Sequence, residues 1–231
     1  MAVRGNNVTE TLSNTNENER SLVMSCAVLG AAVGVFGIAF GVGSVAAGGS
    51  IAITCVMSLL VFTGASQFSA VSVIASGGST AAALGGASLL AARNGVYGLA
   101  MSRTLQGSVF SRLVAAQITI DESTAMSTAQ THPRAARTAF WWTGVSVYVF
   151  WNLGTLIGAL AGNAIDPEQF GLDAAFPAGF VAMVIPHLRH RNGRRAAAIG
   201  AVACALTIPF LPPGVPILCA AVGVLVGVKR P

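Results

Sequence analysis

The sequence predicts an all-α protein, a polytopic transmembrane helix bundle of about seven spans, some of them discontinuous. Three observations predict it. Hydrophobic residues make up 54% of the chain and charged residues only 9%, whereas an ordinary soluble domain is about 25% charged. Mean hydropathy is high, at +0.71. Glycine is abundant, with 27 residues against 11 phenylalanines, as suits helices that pack in lipid through small residues. A soluble core would call for more large side chains and a polar surface.

The elements follow in chain order. Residues 1–20 are polar, with Glu10, Glu17 and Glu19 against Arg4 and Arg20. They predict a disordered tail ahead of a single transmembrane domain over 21–231. Apolar runs then predict spans near 22–46, 51–76, 80–101, 138–161, 171–188, 196–211 and 214–228. The first run is longer than the apolar region of a signal peptide, so it is expected to stay as a span. The last three are short, with Pro186, Pro209, Pro212, Pro213 and Pro216 at or near their ends, where proline costs least. The stretch 108–120 contains Arg112 and is too short to span, which predicts an interfacial or re-entrant helix.

Charge orients the second half. Arg103, Arg112, Arg134 and Arg137, then Arg189, Arg191, Arg194 and Arg195, then Lys229 and Arg230 lie between or beyond the apolar runs and mark cytoplasmic segments. The 162–170 loop, with Asp166 and Glu168 and no base, is expected outside, and the C-terminus inside. The net charge of +5 is thus a topology signal rather than a nucleic-acid surface. Cys26, Cys55, Cys204 and Cys219 each sit in apolar sequence without metal spacing and read as small hydrophobes, not disulfides. No nucleophile–base constellation, phosphate-cradling loop or metal pattern is visible. Neither an enzyme nor a cofactor is expected.

Four polar sites interrupt or border the runs. Arg93 lies within 80–101, and a guanidinium near the bilayer centre costs ~3 kcal/mol on insertion scales. A partner, a water-filled cavity or an anionic substrate must offset that cost. Arg93 could hold a substrate carboxylate in forked hydrogen bonds, with Asn94 beside it and Tyr97 one turn on. Alternatively, a helix begun at Ser79 puts it ~21 Å along the axis, near enough to the far end to snorkel. The second site is Gly64-Ala65-Ser66-Gln67. Gly64 permits a helix break whose freed backbone groups could bind a ligand, and Gln67 offers donors and an acceptor to that ligand or to a neighbouring helix. Asp173 is the third, as a helix N-cap, a partner for Arg93, or a group for a proton or an amine. Asp121 and Glu122 are the fourth, a loop end that could instead gate, cap or carry a proton.

Together the residues become specific. Leu60-Val-Phe-Thr-Gly-Ala-Ser-Gln-Phe68, Ala92-Arg-Asn-Gly-Val-Tyr-Gly98, Asp121-Glu-Ser and Phe170-Gly-Leu-Asp-Ala-Ala-Phe-Pro177 occur in this order. The pattern, from about residue 22 to 228, resembles the AzlC family, the large subunits of bacterial branched-chain amino acid exporters. The resemblance implies gradient-driven export of Leu, Ile and Val, often Met too, across the bacterial cytoplasmic (inner) membrane. It also implies a much smaller AzlD-type membrane subunit as partner. On this basis Gly64, Ser66, Gln67, Arg93, Asn94 and Asp173 are the expected substrate-binding residues, and Asp121 or Asp173 the expected proton carriers. The sequence departs from the family at Ala91 and Asn94, where members commonly carry Asn and an aromatic residue or His. A channel or transporter for another small solute, and a subunit whose partner completes the site, share the same spans and remain open.

Overall fold

The structure, a computed structural model, describes residues 3–162, 181, 184–185 and 187–227. Among the described residues every regular element is helical. Residues 163–170 of the expected loop, most of the 171–188 span, Asp173, and the Lys229–Arg230 pair lie outside them.

Helix α1 runs Val3–Ala46 and so includes the polar stretch for which the sequence predicts a disordered tail. Extending an established helix adds one hydrogen bond per residue fixed, without the cost of a new nucleus, so the apolar body of α1 can carry its polar start. Helix α2 is Ile51–Val61 and α3 is Ala65–Ala75, each of 11 residues. The expected 51–76 span is therefore two half-length helices, each ~17 Å long. Helix α4 is Thr80–Met101, α5 Val109–Gln117, α6 Asp121–Thr128 and α7 Pro133–Ala161. Pro133 opens α7 where its missing N–H costs nothing. At nine residues, α5 is too short to cross a bilayer, as expected.

Beyond a 3-10 turn at His187–Arg189, α8 spans Arg191–Thr207. It begins earlier than the expected 196–211 span, taking the arginines into its first turns. The expected 214–228 span is two six-residue helices, α9 at Val215–Ala220 and α10 at Val222–Gly227. Gly214, at φ 91°, turns the chain into α9, and the pair folds back onto α8. A Cβ on Gly200 would stand 3.0 Å from the Ala220 carbonyl oxygen, and Gly223 abuts Ala196. Small residues let these short helices stack instead of extending.

Two helical stretches, Glu17–Ala46 within α1 and α7, are long and apolar enough to cross a membrane, while α2 and α3 are apolar but shorter. The described residues thus show fewer membrane-length helices than the seven expected spans. Large apolar side chains face outward on many helices, Leu60, Leu99 and Phe110 among them, which is costly in water and ordinary against lipid.

The chain divides into two compact units. Unit 1 comprises Met1–Val35 and Asn94–Leu153, and unit 2 comprises Phe36–Arg93 and Gly154–Pro231. In unit 1, α1 meets α7 through glycine: a Cβ on Gly30 would sit 2.6 Å from Ser146 Cβ, and one on Gly34 2.7 Å from Phe150 Cβ. Met101, Ala115, Ile118 and Phe140 form an apolar cluster there. An exposed ion pair, Glu19 to Arg134 at 3.7 Å, joins the polar part of α1 to the start of α7, and such surface pairs are worth little.

In unit 2, Gly41 lies against the Thr155 carbonyl and Gly158 against the Ile38 carbonyl. Buried hydroxyls reinforce the packing. Ser44 and Thr54 share a hydrogen bond of 2.7 Å, and Ser58 donates to Thr155 at 3.0 Å. Ala70 and Val73 of α3 pack on Ala82 and Ala83 of α4. All four cysteines are free thiols.

Candidate functional site

The site in unit 2 starts from a break in an apolar run. Helix α2 ends at Phe62, which takes the left-handed conformation at φ 33° and ψ 53°. It is the one non-glycine residue with positive φ among the described residues, and this conformation costs roughly 1–2 kcal/mol for a residue with a Cβ. The Phe62 ring is nonetheless buried. Gly64 follows at φ 59° and ψ −85°, backbone that glycine adopts without steric penalty. Helix α3 then restarts at Ala65.

Gln67 ties the two half-helices together. Its Oε1 accepts from Gly64 N at 3.2 Å, and its Nε2 donates to the Met57 carbonyl at 3.3 Å. The side chain is fully buried. Of the two sequence readings of Gln67, the structure thus shows hydrogen bonding between adjacent helical pieces. Without Gln67, the part-buried Gly64 N–H and Met57 carbonyl would each lose a partner.

Arg93 of α4 reaches the same break, where its Nη2 donates to the Thr63 carbonyl at 3.4 Å. Ser66 and Ser69, three residues apart on one face of α3, are buried, and Ser69 faces Gly86 of α4. Their hydroxyls, with that of Thr63, have no hydrogen-bond partner among the described residues. Buried polar groups in that state call for a ligand or solvent partner. The arrangement is electropositive: the N-terminal end of a helix carries orphan N–H donors and the positive end of its dipole, and the guanidinium adds a full charge. Its planar fork of donors matches a carboxylate.

Unit 2 therefore brings together Gly64, Ser66, Gln67 and Arg93. Asn94 and Asp121 belong to unit 1, where Tyr97 Oη donates to Asp121 Oδ1 at 2.6 Å. Asp121 opens α6, and Ser123 caps that helix by accepting from Ile120 N at 3.1 Å. Asp173 falls outside the described residues. Sequence reasoning missed Thr63, Ser69 and the Tyr97–Asp121 bond. The hydroxyls could have been found from the spacing of Ser66 and Ser69 on one helical face beside the glycine break.

The described residues combine two apolar helices of membrane-spanning length with a separate apolar run that is broken beside a cation and buried hydroxyls, a feature that membrane transport proteins share. The family comparison agrees. A family model described as AzlC protein matches residues 28–165, more than half of the chain, and the chain belongs to the AzlC family. The family is associated with branched-chain amino acid transport and with membranes. No curated protein and no solved structure matches.

Proposed function

We propose that the protein is a secondary active transporter that exports branched-chain and related aliphatic amino acids across the bacterial cytoplasmic membrane by alternating access. In this proposal a small AzlD-type membrane subunit works with it, and residues 21–231 act as one transport domain. The observation that carries the proposal is the meeting of Arg93 with the α2–α3 break, beside buried hydroxyls without protein partners among the described residues. A cation, a helix N-terminus and hydroxyl donors together suit the carboxylate of a zwitterionic amino acid.

Arg93 binds the carboxylate, with the first N–H groups of α3 and the Ser66 hydroxyl as further donors. Gln67 and Gly64 hold the break in shape, and Asn94 adds a hydrogen bond. Asp173 meets the substrate ammonium or pairs with Arg93. Either Asp121, held by Tyr97, or Asp173 carries the coupled proton. The aliphatic side chain is discriminated weakly, since one methylene is worth only ~1–3 kcal/mol, so Leu, Ile, Val and Met are all cargo.

The test is leucine efflux from dipeptide-fed cells expressing the protein with its partner subunit. Arg93→Ala should abolish efflux while membrane levels stay normal. Wild-type efflux by a well-expressed Arg93→Ala variant sinks the assignment. Counterflow of labelled leucine separates a carrier from a channel, because a channel shows none.

A further inference from the structure

We propose that the cleft between the C-terminal end of α4 and α5, within unit 1, binds an anionic phospholipid, with an acyl chain in the cleft and the phosphate on Arg112. The cavity measures about 430 Å³ and is lined by Gly98, Met101, Leu105, Val109, Arg112 and Leu113. That volume is in the roughly 300–1,000 Å³ range of small-ligand pockets. Its lining is mostly apolar, with the Arg112 cation and the hydroxyl residues Ser102 and Thr119 as its polar members, the complement of an amphiphile.

Three further observations favour a lipid over a water-soluble anion. Val109, Phe110 and Leu113 of α5 are 74%, 76% and 64% exposed, an apolar surface that a small polar ligand would leave wet and that acyl chains would cover. The segment 102–119 carries Arg103 and Arg112 and no acidic residue, and no carboxylate pairs with either among the described residues. A guanidinium grips a phosphate through paired hydrogen bonds, and anionic lipids gather at basic juxtamembrane segments. Finally, a Cβ on Gly98 would meet no atom within 4 Å, so the α4 side of the cleft is open backbone on which a chain can lie. The proposal requires only that the protein resides in a bilayer and is independent of the substrate assignment.

The experiment is a thermal-shift titration of the full chain in detergent with phosphatidylglycerol, phosphatidylcholine or inorganic phosphate. Phosphatidylglycerol should raise the melting temperature in a saturable way, and the other two should not. Arg112→Gln, a change at an exposed position, should weaken the half-saturating concentration about fivefold, the effect of one basic contact. Gly98→Leu, filling the cleft, should abolish the response while melting like the wild type without lipid. Equal shifts with phosphatidylcholine overturn the proposal, as does an equal effect of inorganic phosphate. An unchanged phosphatidylglycerol response in Arg112→Gln overturns it too, whatever becomes of Gly98→Leu.

Discussion

Replacing Gln67 by methionine probes the helix break with little change of side-chain length. The substitution deletes the bond that Oε1 accepts from Gly64 N and the one that Nε2 donates to the Met57 carbonyl. Gln67 is 0% exposed and the two bonds are part-buried, so solvent restores them only in part. Orphaning a buried donor costs ~1–3 kcal/mol, and a typical net hydrogen bond is worth ~0.5–1.5 kcal/mol. Taking about 2 for the Gly64 N–H and about 1 for the second bond gives a loss of about 3 kcal/mol. For a chain of this size each kcal/mol moves the melting temperature by ~2–4 °C, so Gln67→Met should lower it by about 6–12 °C. The assay is fluorescence-detected size exclusion of heated, detergent-solubilised protein, with the exposed Ser76→Ala as control. Ser76 bonds the Ser72 carbonyl at 2.8 Å, yet an exposed site should cost no more than about 0.5 kcal/mol. If Gln67→Met melts within about 2 °C of the wild type, the break closes without its glutamine and the reasoning fails.

The remaining predictions concern packing and charge. Gly158→Leu drives a side chain into the Ile38 backbone of α1 and should prevent accumulation of folded protein, read as loss of the monodisperse size-exclusion peak. Thr155→Val keeps the shape but strips Ser58 of its acceptor. It should cost about 1 kcal/mol, a fall of ~2–4 °C in melting temperature, and an unchanged melting temperature would mean that the bond contributes nothing. Arg93→Lys keeps the charge but not the fork, so leucine efflux should fall well below wild type at equal expression while exceeding that of Arg93→Ala.

The helical character was legible in composition because it depends on hydrophobic runs alone. So was the break at Gly64, since a glycine followed by polar residues inside such a run has few other uses. Its neighbour Phe62 was not legible, because nothing local marks a phenylalanine for the left-handed region, and only tertiary packing of the ring compensates for it. Arg93 was visible as a charge among apolar residues, but its contact with Thr63 joins positions 30 residues apart, which one sequence does not reveal. Gln67 was visible as a polar residue beside Gly64, but its bonds to Gly64 N and the Met57 carbonyl are geometry that one sequence does not reveal. The helical start of α1 was not legible, because polarity argues against burial, not against a helix continued from an apolar one. The C-terminal run was expected to extend because its hydrophobicity is continuous, whereas Gly200, Gly214 and Gly223 allow it to double back.

The left-handed backbone at Phe62 leaves position 62 a narrow alphabet. A β-branched residue such as Val or Ile would be disfavoured in that backbone conformation. Glycine would relax the backbone but give up a side chain that is only 3% exposed. Alanine would leave a cavity under the break and keep the strain. Bulky side chains unbranched at Cβ, such as Leu, Met or Tyr, are the replacements that refill the space at no greater backbone cost than Phe62 already bears. At this position, tolerance to mutation follows side-chain shape and not hydrophobicity.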